Sequence, residues 1–135
     1  MAKPVATATG VCFAFPDLLL TPSPNGAVSM PYPNVAQLSQ ADPVATDVTA
    51  GGKAVVHEDS TISTSTGGEP GSLGAADPAA SGSYLGACTF VASSLSATVK
   101  VNGRRVVRQG DTTSQNGGNA TGTVMTGLPT VLVGD

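Results

Sequence analysis

Apolar residues in this chain come singly or in pairs, often spaced by two, and are separated by Gly, Pro, Asn, Asp and Ser. That pattern predicts short strands and tight turns, not amphipathic helices. The clearest element is residues 98–111, TVKVNGRRVVRQGD, where two β-rich runs flank Asn102-Gly103. A type I′ turn needs positive φ at both central residues, which Asn and Gly tolerate, so a two-residue hairpin loop is predicted. The loop length then sets Val101 opposite Arg104, Lys100 opposite Arg105 and Val99 opposite Val106. One face carries Val99 and Val106; the other carries Thr98, Val107 and the stems of Lys100 and Arg105.

Two fainter copies of this pattern occur. Residues 48–60, VTAGGKAVVHEDS, lie 51 positions earlier, and residues 123–135, TVMTGLPTVLVGD, lie 24 positions later. In the first, Val48, Gly52, Val55 and Val56 match Val99, Gly103, Val106 and Val107, and Lys53 stands for Arg104. In the last, Gly127, Val131, Gly134 and Asp135 match Gly103, Val107, Gly110 and Asp111. Three hairpins with glycine at one turn position predict an internal repeat. Pro129 requires an edge or a bulge in the third. The position of Arg108 is His57 in the first copy and Leu132 in the third.

Residues 1–11 read as a flexible tail of small residues. Residues 12–34, CFAFPDLLLTPSPNGAVSMPYPN, hold five prolines, which exclude a helix. Phe13 and Phe15 alternate with Cys12 and Ala14, as in a short half-buried strand, and Asn25-Gly26 marks a turn. Residues 30–34 should run extended, with Tyr32 laid over the hairpin core as a clamp on sheet edges. Residues 35–42, VAQLSQAD, suit a turn or two of helix. Residues 61–86 are polar and Gly-rich and predict a long surface loop. Residues 87–92, ACTFVA, predict a strand, and residues 115–122, QNGGNATG, a turn-rich connection.

Composition bounds what such a chain can build. Gly and Pro make up 27 of 135 residues, charged residues 11% and aromatics 4%, so there are few large side chains for a deep core. This bias raises disorder as a reading, but the net charge of −3 and the spaced valine pairs favour a compact all-β unit with a thin core. One domain over residues 1–135 is expected. No run of 18 apolar residues occurs, so no transmembrane helix and no stable membrane insertion are expected. The first residues lack the uninterrupted apolar segment of a signal peptide, which predicts synthesis in the cytoplasm. Six basic residues, four of them in the central hairpin, are too few for a nucleic-acid partner.

Candidate chemistry is sparse. His57 is the single histidine, and Cys12 and Cys88 are the two cysteines. A small Cys/His hydrolase would use these residues, but no local signature supports one. Glu58-Asp59 reads as a solvated hairpin end, and no phosphate-cradling motif is present. No catalytic residue is assigned. Cys12, His57 and Cys88 are also zinc-ligand types, and a thin core would gain from one structural Zn2+. Asp59 or a water would have to complete the tetrahedron. The alternative is two buried cysteines packed as small hydrophobes and one histidine satisfied by its neighbours.

The block from Cys12 to Asn34 contains FPD (Phe15, Pro16, Asp17), TP (Thr21, Pro22) and PYPN ending at Asn34. It is followed by GEPG at residues 68–71, GRRVVRQGD ending at Asp111, and Asn116. In this order the motifs resemble the PAAR-like family of bacterial type VI secretion and related contractile injection systems, over roughly residues 10–119. The resemblance implies a small cone of short β-hairpins in pseudo-threefold arrangement with long Gly/Pro-rich loops. It implies a spike-tip protein, not an enzyme, that caps and sharpens a trimeric VgrG-like spike, one tip per trimer, for puncture of a target envelope. Family members commonly hold zinc through histidine and cysteine, whereas this chain has one histidine. The resemblance also allows an adaptor that recruits a separate toxic effector, with residues 61–86 as the contact. Either role implies assembly into the apparatus and delivery outside the cell or into a target.

Overall fold

The computed structural model describes residues 2–76 and 85–135. The described residues form twelve strands: β1 (Lys3–Val5), β2 (Val11–Thr21), β3 (Val28–Gln37), β4 (Ala45–Ala50), β5 (Lys53–Val55), β6 (Thr61–Ile62), β7 (Cys88–Phe90), β8 (Lys100–Val101), β9 (Arg104–Arg105), β10 (Thr112–Gln115), β11 (Ala120–Val124) and β12 (Leu128–Val133). Single 3-10 turns occupy Leu38–Gln40, Ala92–Ser94 and Asn116–Gly118. The expected all-β class is what the chain adopts. No helix among the described residues is long and apolar enough to cross a membrane.

Six strands form one antiparallel sheet in the order β3-β2-β11-β10-β7-β6. The sequence reading did not foresee it, because its central strands carry Thr, Ser and Gln where a core strand usually carries Val or Ile. Its longest hairpin is β2–β3, turned at Ser23 to Gly26, where the Gly26 N–H donates to the Ser23 carbonyl (3.0 Å). The register runs from Thr21 opposite Val28 to Asp17 opposite Tyr32. It then slips to Ala14 opposite Asn34 and continues to Val11 opposite Gln37. Cys12 and Ala14 are buried and Phe13 and Phe15 exposed, so the small side chains face the thin core. Pro31 and Pro33 sit on the outermost strand, where a missing N–H costs no ladder bond.

Part of the stretch expected as a surface loop is packed structure. Strand β6 pairs with β7, Thr66 bridges Val35, and Ala75 bridges Leu19. A Cβ at either Gly68 or Gly71 would come within 2.3 Å of the buried Leu19 side chain. The GEPG run is therefore the close floor on which Leu19 rests. Residues 77–84 of the expected loop lie outside the described residues.

The other six strands form three two-stranded units, the hairpins β4-β5 and β8-β9 and the pair β1-β12, which stands as the third hairpin although its strands are far apart in sequence. In β8-β9 the pairs Lys100 opposite Arg105 and Val101 opposite Arg104 are as predicted. The expected Val99–Val106 face pair is not, because the Val106 N–H donates to the Val99 carbonyl while its own carbonyl accepts the Ser96 N–H, leaving Val106 buried and Val99 exposed. Asn102 and Gly103 have φ of 53° and 81°, and Gly51 and Gly52 of β4-β5 have 58° and 78°. Both turns are of the primed type that matches strand twist.

The third hairpin is not where the sequence placed it. Thr123 and Val124, the first residues of 123–135, end strand β11 of the large sheet, and β12 pairs with β1. The residues read as a tail thus supply a strand, with Val5 and Ala6 buried. The pairs Ala45↔Val55, Thr49↔Ala54 and Ala50↔Lys53 in the first hairpin have counterparts Leu128↔Val5, Leu132↔Pro4 and Val133↔Lys3 in the third. Both registers insert the same three extra residues, 46–48 and 129–131. In the second hairpin residues 97–99 hold that place.

Two clusters make the core. Val5, Val55, Val101, Val106 and Val133 pack among the hairpins, while Val56, Val107, Leu38, Ile62, Phe90 and the two cysteines pack against the large sheet. Consecutive valines, Val55-Val56 and Val106-Val107, serve one cluster each, because neighbouring strand residues point to opposite sides.

Candidate functional site

The hairpins close on one another through a ring of backbone hydrogen bonds. The Ala6 N–H donates to the Val107 carbonyl (2.9 Å), Val107 to Val56 (3.1 Å) and Val56 back to Ala6 (3.1 Å). A second set runs in the opposite sense: Ala8 donates to Ala54 (2.9 Å), Glu58 to Arg105 (2.9 Å) and Gln109 to Pro4 (2.8 Å). Segments 4–8, 54–58 and 105–109 are thus related by a threefold operation within one chain. Ala6, Val56 and Val107 are equivalent, as are Thr7, His57 and Arg108. The 51-residue offset read between the first two hairpins holds in the structure; the 24-residue offset to the third does not.

The equivalent positions Thr7, His57 and Arg108 carry different side chains; His57 and Arg108 open comparable turns, whereas at the Thr7 carbonyl the donor is the Thr9 N–H. The Ser60 N–H donates to the His57 carbonyl, and the Asp111 N–H to the Arg108 carbonyl. In return Ser60 Oγ accepts the His57 N–H (3.2 Å) and Asp111 Oδ2 accepts the Arg108 N–H (2.8 Å). Arg108 is buried. Its Nε and Nη2 reach Asp111 at 3.2 and 3.1 Å, Nη2 also donates to the Ser94 carbonyl (2.9 Å), and Nη1 donates to the Gly134 carbonyl (3.2 Å). One guanidinium therefore ties the ring to the start of β10 and the end of β12.

His57 is buried, with Nδ1 accepting the Asp59 N–H at 3.2 Å. Burial first and the Arg104 charge second hold its pKa below the ordinary histidine value, against opposing pulls from Asp59 and Glu58. The folded state therefore prefers neutral imidazole, and the unfolded chain binds the proton more readily. Stability from this group is present above about pH 6.5 and is lost as pH falls below it towards the folded pKa. The unfolding midpoint should fall on acidification from about pH 7 to pH 5.5, and His57→Gln should flatten that slope. An identical slope in the variant would remove His57 as its source.

The basic turn is met by the acidic end of the first hairpin. Arg104 Nε meets Asp59 Oδ2 at 2.5 Å, and Glu58 Oε1 accepts the Arg105 N–H at 2.9 Å.

The three soft ligand candidates do not converge. Cys12 and Cys88 are free, buried and close neighbours in the core; a hydrogen bond with the Cys88 thiol, then burial, push the Cys12 thiol far up. His57 lies in the hairpin ring and is satisfied by its own turn. Among the described residues no group of three or more His, Cys, Asp or Glu side chains is placed to hold a metal ion. The residues present do not fit a Cys/His zinc site.

Several quoted motif residues meet in a buried polar network that sequence reasoning did not assemble. The carboxylate of Asp17, from FPD, accepts from Asn116 Nδ2 (3.0 and 3.2 Å), Asn119 Nδ2 (2.5 Å) and, more distantly, Asn34 Nδ2 (3.4 Å). Asn34, from PYPN, accepts from Gln115 Nε2 at 2.8 Å, and Gln115 Oε1 accepts from Thr113 Oγ1 at 2.7 Å. Asn116 Oδ1 accepts the Gly86 N–H at 2.7 Å. Asp17, Asn34, Thr113, Gln115 and Asn116 are buried, and no Lys, Arg or His among the described residues pairs with Asp17. The network joins β2, β3 and the β10–β11 connection, which fixes the large sheet under the ring. The available signal was four short amide or acid side chains in Pro/Gly-rich sequence, which reads as loop.

An all-β chain with an internal threefold ring, braced by a buried amide–carboxylate network, defines a scaffold with no assembled catalytic constellation among its described residues. The family model for the toxin PAAR-like domain matches residues 10–122, and the chain belongs to that family. No curated protein and no solved structure matches it.

Proposed function

We propose that the chain is the tip of a bacterial contractile injection apparatus, capping and sharpening a trimeric VgrG-like spike, one tip per trimer. The observation that carries this reading is the cyclic pair of backbone hydrogen-bond sets, which gives one chain three equivalent sides. A trimer ends in three identical surfaces around an axis, and a cap with internal threefold repetition meets all three at once. The tip is made in the cytoplasm, joins the spike before firing and leaves the cell with it.

Its work is mechanical. Short hairpins with two-residue turns and a closed hydrogen-bond ring have few soft torsions, so load applied along the axis passes to the target with little deformation. The buried Asp17 network and the Arg108 ion pair brace the same body from within. Zinc is left out of this reading, because the chain's thiols and imidazole lie apart.

A second reading, an adaptor that carries a separate toxic effector on the tip, is favoured by the toxin association in the family's description. Native mass measurement of the chain mixed with the VgrG-like spike from the same genome tests both. One chain per spike trimer is the expected mass, and an added effector mass would support the adaptor. Absence of any complex, or three chains per trimer, would sink the tip assignment.

A further inference from the structure

We propose, resting on the spike-tip reading above, that Val48, Val99 and Val131 are three equivalent anchors through which the chain seats on a homotrimer, one valine per subunit. Each lies third among the three extra residues of its hairpin, 46–48, 97–99 and 129–131. The surrounding six residues share one burial profile. Ala45–Ala50 runs from a buried residue through four exposed ones to a buried one, as do residues 96–101; Leu128–Val133 differs only in a partly buried first residue. Within that profile the other two extra positions vary freely, Thr46, Ala97 and Pro129 at one and Asp47, Thr98 and Thr130 at the next. The third position is valine in all three, and the exposures are 37%, 37% and 39%.

Local structure does not ask for this. Extra residues in a bulge stand outside the paired ladder, and at the second bulge the Val106 N–H engages only the Val99 carbonyl, a bond that does not depend on the side chain. The bulges are also held without using the valines. Asn102 Nδ2 donates to Asp47 Oδ1 (2.8 Å), tying the first bulge to the second turn, and the Thr98 N–H donates to the Asp135 carbonyl (3.1 Å), tying the second bulge to the end of the third hairpin. At the third bulge, Leu128 lies against Gly51 of the first turn. The three valines are thus presented on a fixed triangular frame.

An asymmetric partner has no use for one apolar side chain repeated in three equivalent places. A homotrimer does, because it offers the same shallow apolar receptor three times. Each contact is small, but the frame makes the second and third engagements intramolecular, so the three multiply.

The test titrates the VgrG-like spike from the same genome with wild type, Val48→Asp, Val99→Asp, Val131→Asp and the triple variant, with an unfolding midpoint for each. Each single change should weaken binding by a similar factor, about tenfold, and the triple should abolish it, with midpoints unchanged. A parallel Val→Thr series, which keeps side-chain shape, should give equal but smaller losses and covers the case in which an Asp variant fails to fold. Wild-type binding with one valine dominant, or none mattering, overturns the anchors and leaves the tip assignment standing. Wild type failing to bind overturns both. Valine-dependent self-association of the chain alone, without spike, assigns the points to a second copy and also overturns the proposal.

Discussion

Arg108→Met should cost about 3–5 kcal/mol of stability, because it strands a fully buried carboxylate. Asp111 keeps Lys3, whose ammonium stands 3.5 Å from Oδ1, and the N–H of residue 108, but it loses two charge-assisted bonds. The same change frees the Gly134 and Ser94 carbonyls, so the loss spreads to the end of β12 and to the turn before β8. Denaturant unfolding of the pure variant measures it. Arg108→Met combined with Asp111→Asn should recover part of the loss, since the stranded charge is then gone. A single variant within about 1 kcal/mol of wild type would show that the pair contributes little beyond packing.

Asp17→Ala should cost about 3 kcal/mol or more. It removes the acceptor of the buried Asn116 amide and the longer bond from the buried Asn34 amide, and each buried donor left without a partner costs about 1–3 kcal/mol, while Asn119 keeps the Leu18 carbonyl. Asp17→Asn keeps one acceptor oxygen and should fall between wild type and the alanine variant. Against a typical domain stability of about 5–15 kcal/mol, the alanine variant should be partly unfolded near physiological temperature. Hydrogen exchange should show the amides of β2, β10 and β11 losing protection first. Unchanged protection in those strands would mean that the network contributes little to holding the sheet.

Much of the hairpin ring was legible in the sequence, and the reasons are local. Asn102-Gly103 declares its own turn, and the two-residue loop fixes the register without help from the rest of the chain. The first copy was found at the right offset because Val48, Val55 and Val56 repeat Val99, Val106 and Val107. The third was misplaced because its two strands are not neighbours in sequence. Val124, read as part of a terminal hairpin, pairs with Cys12 in the large sheet, and Lys3–Val5 is too short to carry a period.

The large sheet was hidden for a different reason. Thr113 and Gln115 are buried polar residues whose burial depends on Asn34, about 80 positions away, so no local pattern marks them as core. The candidate ligands show the same limit. Sequence spacing could not distinguish two thiols meeting in the core from a set completed by His57.

The pairing of β1 with β12 also sets an order of events. Val133 lies opposite Lys3, so one side of the ring joins residues 130 positions apart, whereas the β8-β9 hairpin closes over a two-residue turn. Contacts between distant residues carry the largest loop-closure entropy and slow folding. During synthesis, hairpin one and the β2–β3 hairpin can form while residue 133 is still unmade. Until then the third side lacks β12, and Lys3–Val5 has no strand to pair with. Threefold equivalence is in this sense complete only once β12 is in place, and a chain that lacks that strand cannot present three equal sides to a partner.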